Sequence, residues 1–174
     1  MEFLLKNGTV YTGGQMVKRD LFISGGKVSF FKSTCSEVTV IDCDNLFIFP
    51  GFVDVHTHLR EPGFSYKETV KTGSNAAAHA GYTAVFTMPN LNPVPDSLDN
   101  LNVELEIIER DGLVNIYPYG AVTVAQKGMD LADLASFKDK VCAITDDGVG
   151  VNNIDLLVKA MRFAKENDMV IASH

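Results

Sequence analysis

His56 and His58 stand two residues apart at the end of the apolar run Phe52-Val53-Asp54-Val55, in the string His56-Thr57-His58-Leu59-Arg60-Glu61-Pro62-Gly63. Residues two apart on a strand point to the same side, so both imidazoles can reach one metal ion, which adjacent residues could not do. Taken alone, such a pair reads equally well as two hydrogen-bonded histidines at a strand end. Two further candidates close later apolar runs: Asp147 in Thr145-Asp146-Asp147-Gly148, and His174 after Met169-Val170-Ile171-Ala172. A carboxylate can bridge two divalent ions, and neutral imidazoles complete a nitrogen-and-oxygen donor set suited to zinc. Ligand types recurring at separate strand ends favour a metal site over scattered polar residues. One of Asp146 and Asp147 is expected to cap the helix that follows.

Arg60 lies beside the histidine pair, and Asn90 ends Thr87-Met88-Pro89-Asn90. A guanidinium holds a carboxylate through two parallel hydrogen bonds and an amide adds a donor, so the two suit a small carboxylic acid. The plainer readings are an Arg60–Glu61 surface ion pair and a turn residue ahead of Asn92-Pro93. His79 precedes Gly81 near the end of an alanine-rich helix, where an imidazolium is favoured by the helix dipole, and is read as structural. Gly148-Val149-Gly150 lacks the Lys-Ser/Thr of a phosphate loop.

The elements that must carry these groups fall into two textures. Residues 1–49 read as short strands punctuated by Asn7-Gly8, Gly13-Gly14 and Gly25-Gly26, a small all-β segment with too few residues to close a stable sandwich alone. Residues 50–174 alternate apolar strands with helical segments, the pattern of βα units and a parallel sheet. Strands are predicted at 52–56, 83–87, 114–117, 141–144 and 169–172. The first helix is predicted to open at Ser65, with Glu68 completing a capping box. A second carries Leu101, Leu105 and Ile108, a short one spans 131–137, and the last presents Ile154, Leu157, Val158 and Met161 on one face. Periodicity leaves open whether the sheet is doubly wound or part of a (β/α)8 barrel. Either way the candidate groups sit at strand C-terminal ends, where such folds place their sites.

Composition narrows the class further. The 174 residues are 46% hydrophobic and 21% charged, an ordinary globular mixture, with a net charge of −7 and no basic cluster to suit nucleic acid or an anionic membrane. Cys35, Cys43 and Cys142 are odd in number and lack the spacing of a structural zinc site, so they are read as reduced thiols. The start has no signal-peptide pattern and no run approaches the roughly 18 apolar residues of a membrane span, which predicts a cytoplasmic protein.

The string Phe49-Pro50-Gly51-Phe52-Val53-Asp54-Val55-His56-Thr57-His58 resembles the opening of the cyclic-amidase branch of the amidohydrolase superfamily. Its continuation Leu59-Arg60-Glu61-Pro62-Gly63, with Thr87-Met88-Pro89-Asn90, Thr145-Asp146-Asp147-Gly148 and Ser173-His174, resembles the bacterial-type dihydroorotases in particular. The resemblance implies an α/β fold, the first part of a TIM-like (β/α)8 metal-dependent hydrolase barrel. It also implies a β-sandwich built from both chain ends, with residues 1–49 its N-terminal part and 50–174 the first half of the barrel. It implies one or two zinc ions, with His56 and His58 on the more buried one, Asp147 bridging and His174 on the second. Arg60 and Asn90 would hold the substrate carboxylate. The implied reaction is the reversible cyclisation of N-carbamoyl-L-aspartate to L-dihydroorotate in pyrimidine biosynthesis. Hydantoinases and dihydropyrimidinases usually bridge their metals with a carbamylated lysine near this point, and Val141–Asp147 contains no lysine.

A whole barrel needs more than about 200 residues, so the chain is expected to be an inactive N-terminal portion. On the same resemblance, another metal-binding histidine and the proton-shuttling aspartate lie beyond His174. Assembly is expected as a homodimer or with aspartate transcarbamoylase. Competing readings are a hydantoinase, dihydropyrimidinase or allantoinase, a catalytically silent scaffold subunit for aspartate transcarbamoylase, and a metal-free α/β binding module.

Overall fold

The computed structural model describes residues 2–30 and 37–173, and the chain divides into two compact units, Met1–Pro50 and Gly51–His174. Cys35 and His174 lie outside the described residues.

Among its described residues the first unit holds seven short strands: β1 (Phe3–Lys6), β2 (Thr9–Thr12), β3 (Gln15–Lys18), β4 (Leu21–Ser24), β5 (Lys27–Ser29), β6 (Thr39–Asp42) and β7 (Phe47–Ile48). They form two sheets, ordered β5-β4-β1-β6 and β3-β2-β7. The predicted glycine turns make the two hairpins. Gly13 and Gly14 join β2 to β3, Gly25 and Gly26 join β4 to β5, and all have φ between +55° and +77°. That backbone matches the right-handed twist of paired strands and is open to glycine without steric cost.

The second unit contains β8 (Phe52–Thr57), α1 (Val70–His79), β9 (Tyr82–Thr87), α2 (Leu98–Asp111), β10 (Asn115–Gly120), α3 (Leu134–Phe137), β11 (Ala143–Ile144) and α4 (Ile154–Glu166). Its four strands are all parallel, in the order β11-β10-β9-β8. Spatial order follows chain order without reversal, as in a singly wound barrel. A doubly wound sheet reverses direction at its switch point. The predicted fifth strand is reduced to a parallel bridge between Ile144 and Ile171, flanked by Ile144 N–H donating to Val170 and Ala172 N–H donating to Ile144.

The main core lies between sheet and helices, where Leu101 of α2, Val122, Leu134 and Phe137 of α3, Ile144 of β11 and Ala160 of α4 pack together. Gly120, the last residue of β10, sits against Phe137 so closely that any Cβ there would press into the ring. No described helix is long and apolar enough to cross a membrane.

Two local expectations are corrected. α1 opens at Thr69, whose hydroxyl accepts from Thr72 N–H while the Thr72 hydroxyl accepts from Thr69 N–H, so the capping box is one turn later than Ser65-Glu68. Glu68 is drawn into that cap, accepting from Thr72 Oγ1 and Thr69 N–H. On α4 the buried residues are Leu156, Ala160 and Ala164, whereas Ile154 is 74% and Met161 55% exposed. Small alanines let the helix lie close to its neighbours, and the larger apolar stripe faces outward.

Candidate metal centre

β8 carries His56 near its C-terminal end, and its pairing with β9 is irregular between Asp54 and Thr57. Within that irregularity the Asp54 carboxylate accepts from His56 N–H at 3.1 Å, fixing the backbone just where the ligand pair begins. The two imidazole rings meet edge to face, 5.3 Å apart.

Both rings turn toward Asp147, three residues beyond β11. His56 Nε2 lies 3.4 Å from Oδ1 and His58 Nε2 lies 3.6 Å from Oδ2, so each carboxylate oxygen faces its own imidazole. Asp147 is only 5% exposed, and the three donor atoms fall within 4.8 Å of one another. The separations exceed the roughly 2.7–3.2 Å of an N–H···O hydrogen bond. Two donors each about 2.1 Å from a tetrahedral ion lie about 3.4 Å apart. The donor set therefore fits a metal ion seated between imidazole and carboxylate.

Asp146 and Asp147 have diverged completely. Asp146 Oδ1 accepts from the backbone N–H of Val122 at 2.8 Å and of Thr123 at 3.1 Å, and its Oδ2 from the Thr123 hydroxyl. It ties the β11 exit to the loop after β10, and burial pushes its carboxyl above the usual range against the pull of those bonds. The following helix, α4, is capped by Asn153, whose side chain accepts from Leu156 N–H. The expected helix cap among the two aspartates is thus a loop clamp.

Burial lowers the pKa of His58, the positive charge of Arg60 lowers it further, and Asp147 opposes both. A neutral imidazole is the form that ligates metal. Arg60, placed close enough to act on His58, has φ +59°, a left-handed conformation costly for a residue with a side chain and common at ligand clamps. Glu61, the alternative partner for Arg60, is engaged elsewhere: its Oε2 accepts from Val70 N–H at the start of α1. Asn90 comes to the same place, its Nδ2 donating to the backbone carbonyl of Asp147 at 2.8 Å. The structure thus brings His56, His58, Asp147, Arg60 and Asn90 together, and His79 stays in the last turn of α1.

Tyr119 of β10 was not anticipated. Its hydroxyl donates to the backbone carbonyl of Val55 at 3.2 Å, and with His56, Met88 and Asp147 it lines a cavity of about 140 Å³. No sequence signal marks it, because a tyrosine in an apolar strand reads as core.

Residues 45–174 match the family model described as dihydro-orotase-like. Among curated relatives, the dihydroorotase of Fusobacterium nucleatum is 43% identical over 173 residues, covering 98% of this chain and 41% of its own. That of Bacillus cereus is 41% identical over 178 residues, covering all of this chain and 42% of its own. The chain therefore spans about two fifths of the length of these relatives. Of solved structures, the L-hydantoinase of Arthrobacter aurescens superposes with a TM-score of 0.83 at 18% identity, over 99% of this chain and 40% of that one. A D-hydantoinase superposes with a TM-score of 0.80 at 21% identity, over 100% and 40% respectively. At such identity the likeness is one of fold.

Proposed function

The chain belongs to the dihydro-orotase-like family, and from that membership we propose that it carries the metal-binding and carboxylate-binding groups of a dihydroorotase. The whole protein would interconvert N-carbamoyl-L-aspartate and L-dihydroorotate, with release or uptake of water. The observation that carries the reading is the placement of His56 and His58 at 3.4 and 3.6 Å from the two oxygens of Asp147.

Zinc held by these residues would supply Lewis-acid polarisation of an amide carbonyl and a water acidic enough to ionise near neutral pH. The remaining work belongs to the protein. Arg60 would hold the substrate carboxylate through two parallel N–H bonds. One N–H of Asn90 Nδ2 is committed to Asp147, and an amide nitrogen has a second to offer the same carboxylate. Fixing the carboxylate at this point would set the ring amide over the donor set, converting binding into orientation. His174, which lies outside the described residues, would bind the second ion.

For the whole protein we propose a (β/α)8 barrel of which residues 50–174 form the first half, and a β-sandwich to which residues 1–49 contribute. Cytoplasmic action as a homodimer, or beside aspartate transcarbamoylase, completes the reading and is tested by light scattering with and without that enzyme. The activity is tested by zinc analysis of the intact protein with turnover of dihydroorotate, hydantoin and allantoin. Zinc-dependent turnover of dihydroorotate is expected. Preference for hydantoin or allantoin, or a protein that takes up no metal, would overturn the assignment.

A further inference from the structure

Asn90 presents a polar arrangement that holding a substrate carboxylate leaves unused. Its Nδ2 donates to the Asp147 backbone carbonyl, which can only accept, so the amide orientation is fixed and Oδ1 must face the other way. Among the described residues that Oδ1 is buried without a hydrogen-bond partner, and so is Nδ1 of His58. The two side chains converge on one residue, Asn90 Nδ2 at 2.8 Å from the Asp147 carbonyl oxygen and His58 Nε2 at 3.6 Å from Asp147 Oδ2. Two buried atoms of opposite hydrogen-bonding character, each lacking a partner, are an unusual pairing to leave unmade. Functional hydrogen bonds are often loose before ligand is bound and tighten afterwards.

We propose that Asn90 is a positioning residue for the metal, its Oδ1 accepting the Nδ1–H of His58 and its Nδ2 holding the backbone of Asp147. A proton kept on Nδ1 leaves the Nε2 lone pair free, and Nε2 is the atom that faces Asp147 Oδ2 at 3.6 Å. One amide thereby fixes the tautomer of a ligand from the β8 end and the chain position of a ligand from the β11 end. Metal-binding histidines generally need such a partner on the second nitrogen, and losing it weakens affinity by about 10–100-fold. The inference rests on the metal-site reading above but not on the identity of the substrate.

The test is zinc affinity by chelator competition in the intact protein and in its N90A and N90D variants, with melting of each metal-free protein as the check on folding. N90A is expected to bind zinc about 10–100-fold more weakly. N90D keeps an acceptor for Nδ1–H and is expected to bind more tightly than N90A. Long-range ¹⁵N spectra of the zinc-loaded unsubstituted protein should show His58 protonated on Nδ1 and metal-bonded at Nε2. Should N90A fail to fold, N90D and these spectra decide the matter. Unchanged zinc affinity with only a raised KM for the substrate, or metal found on Nδ1, would overturn the proposal and leave the dihydroorotase reading standing. Asn90-dependent zinc binding without dihydroorotate turnover would do the reverse.

Discussion

Replacing Asp146 and Asp147 by alanine one at a time should separate a structural carboxylate from a ligating one, although they are neighbours in sequence and both buried. Without Asp146 the N–H groups of Val122 and Thr123 lose their acceptor. Both residues are at most 1% exposed, so water cannot readily replace it. A buried donor left without a partner costs about 1–3 kcal/mol, which for two gives about 2–6 kcal/mol. Removing a carboxylate whose own burial is unfavourable, as its raised pKa records, offsets part of that. The expected loss is therefore about 2–4 kcal/mol, read as a shift in denaturant midpoint of the metal-free protein at pH 7.5. Asp147 faces two partly exposed imidazoles that water can serve in its place. Its replacement should cost about 1 kcal/mol or less, yet it should abolish tight zinc binding, which Asp146→Ala below its melting range should keep. A loss under about 1 kcal/mol for Asp146→Ala, or equal losses for the two, would refute the division of labour.

Three further perturbations test the fold around the centre. Glu104 of α2 is fully buried with one oxygen lacking a hydrogen-bond partner among the described residues, and burial holds its carboxyl well above the ordinary range. A folded pKa above the unfolded one means that stability falls as pH rises from the unfolded value toward the folded one. Glu104→Gln should thus raise the melting temperature more at pH 8 than at pH 5, and equal shifts would contradict the assignment. Gly120→Ala should cost about 1–3 kcal/mol in a denaturant melt by overpacking, and Phe137→Leu in the same chain should recover part of it; a neutral Gly120→Ala would contradict the close fit. The Cys142 thiol, pushed by burial up to about 11, should react with a disulfide reagent slowly at pH 8 and faster only as pH approaches that value, as labelling followed by mass spectrometry would show. Rapid labelling at pH 8 would refute the raised pKa of this half-buried thiol.

How much of this was legible in the chain depended on whether a single periodicity carried the information. The histidine pair, the glycine hairpins and the alternation of strand and helix each announce themselves over a few adjacent residues. α4 does not, because it bears two overlapping stripes. Ile154, Val158 and Met161 make the larger apolar face, while Leu156, Ala160 and Ala164 are the ones buried. Close packing selects for small residues there, and a reading weighted by hydrophobicity chooses the wrong side. The start of α1 was misplaced for a related reason. Ser65 and Glu68 satisfy the capping pattern as written, but Glu61 and Thr69 satisfy the helix N-terminus in space. Which of Asp146 and Asp147 serves as ligand could not be decided locally either, because the partners that distinguish them lie 23 or more residues away.

That the four-stranded sheet is curled and not flat follows from the distances at the metal centre. β8 and β11 are the two edges of the four-stranded sheet, with β9 and β10 between them. At roughly 4.8 Å per strand, flat edges would stand about 14 Å apart with their side chains parallel. Yet His56 and His58, from the β8 end, reach within 3.4 and 3.6 Å of Asp147, from the β11 end. His58 and Asp147 sit one and three residues beyond their strands, and a curl of the sheet toward the face that carries them closes the rest of the gap. Tyr119 reports the same curvature from the middle of the sheet. Its hydroxyl, rooted on β10, passes over β9 to meet the Val55 carbonyl of β8 at 3.2 Å. The bond spans the concave face one residue before His56, so the curvature that assembles the ligands is held by a side chain inside the bowl.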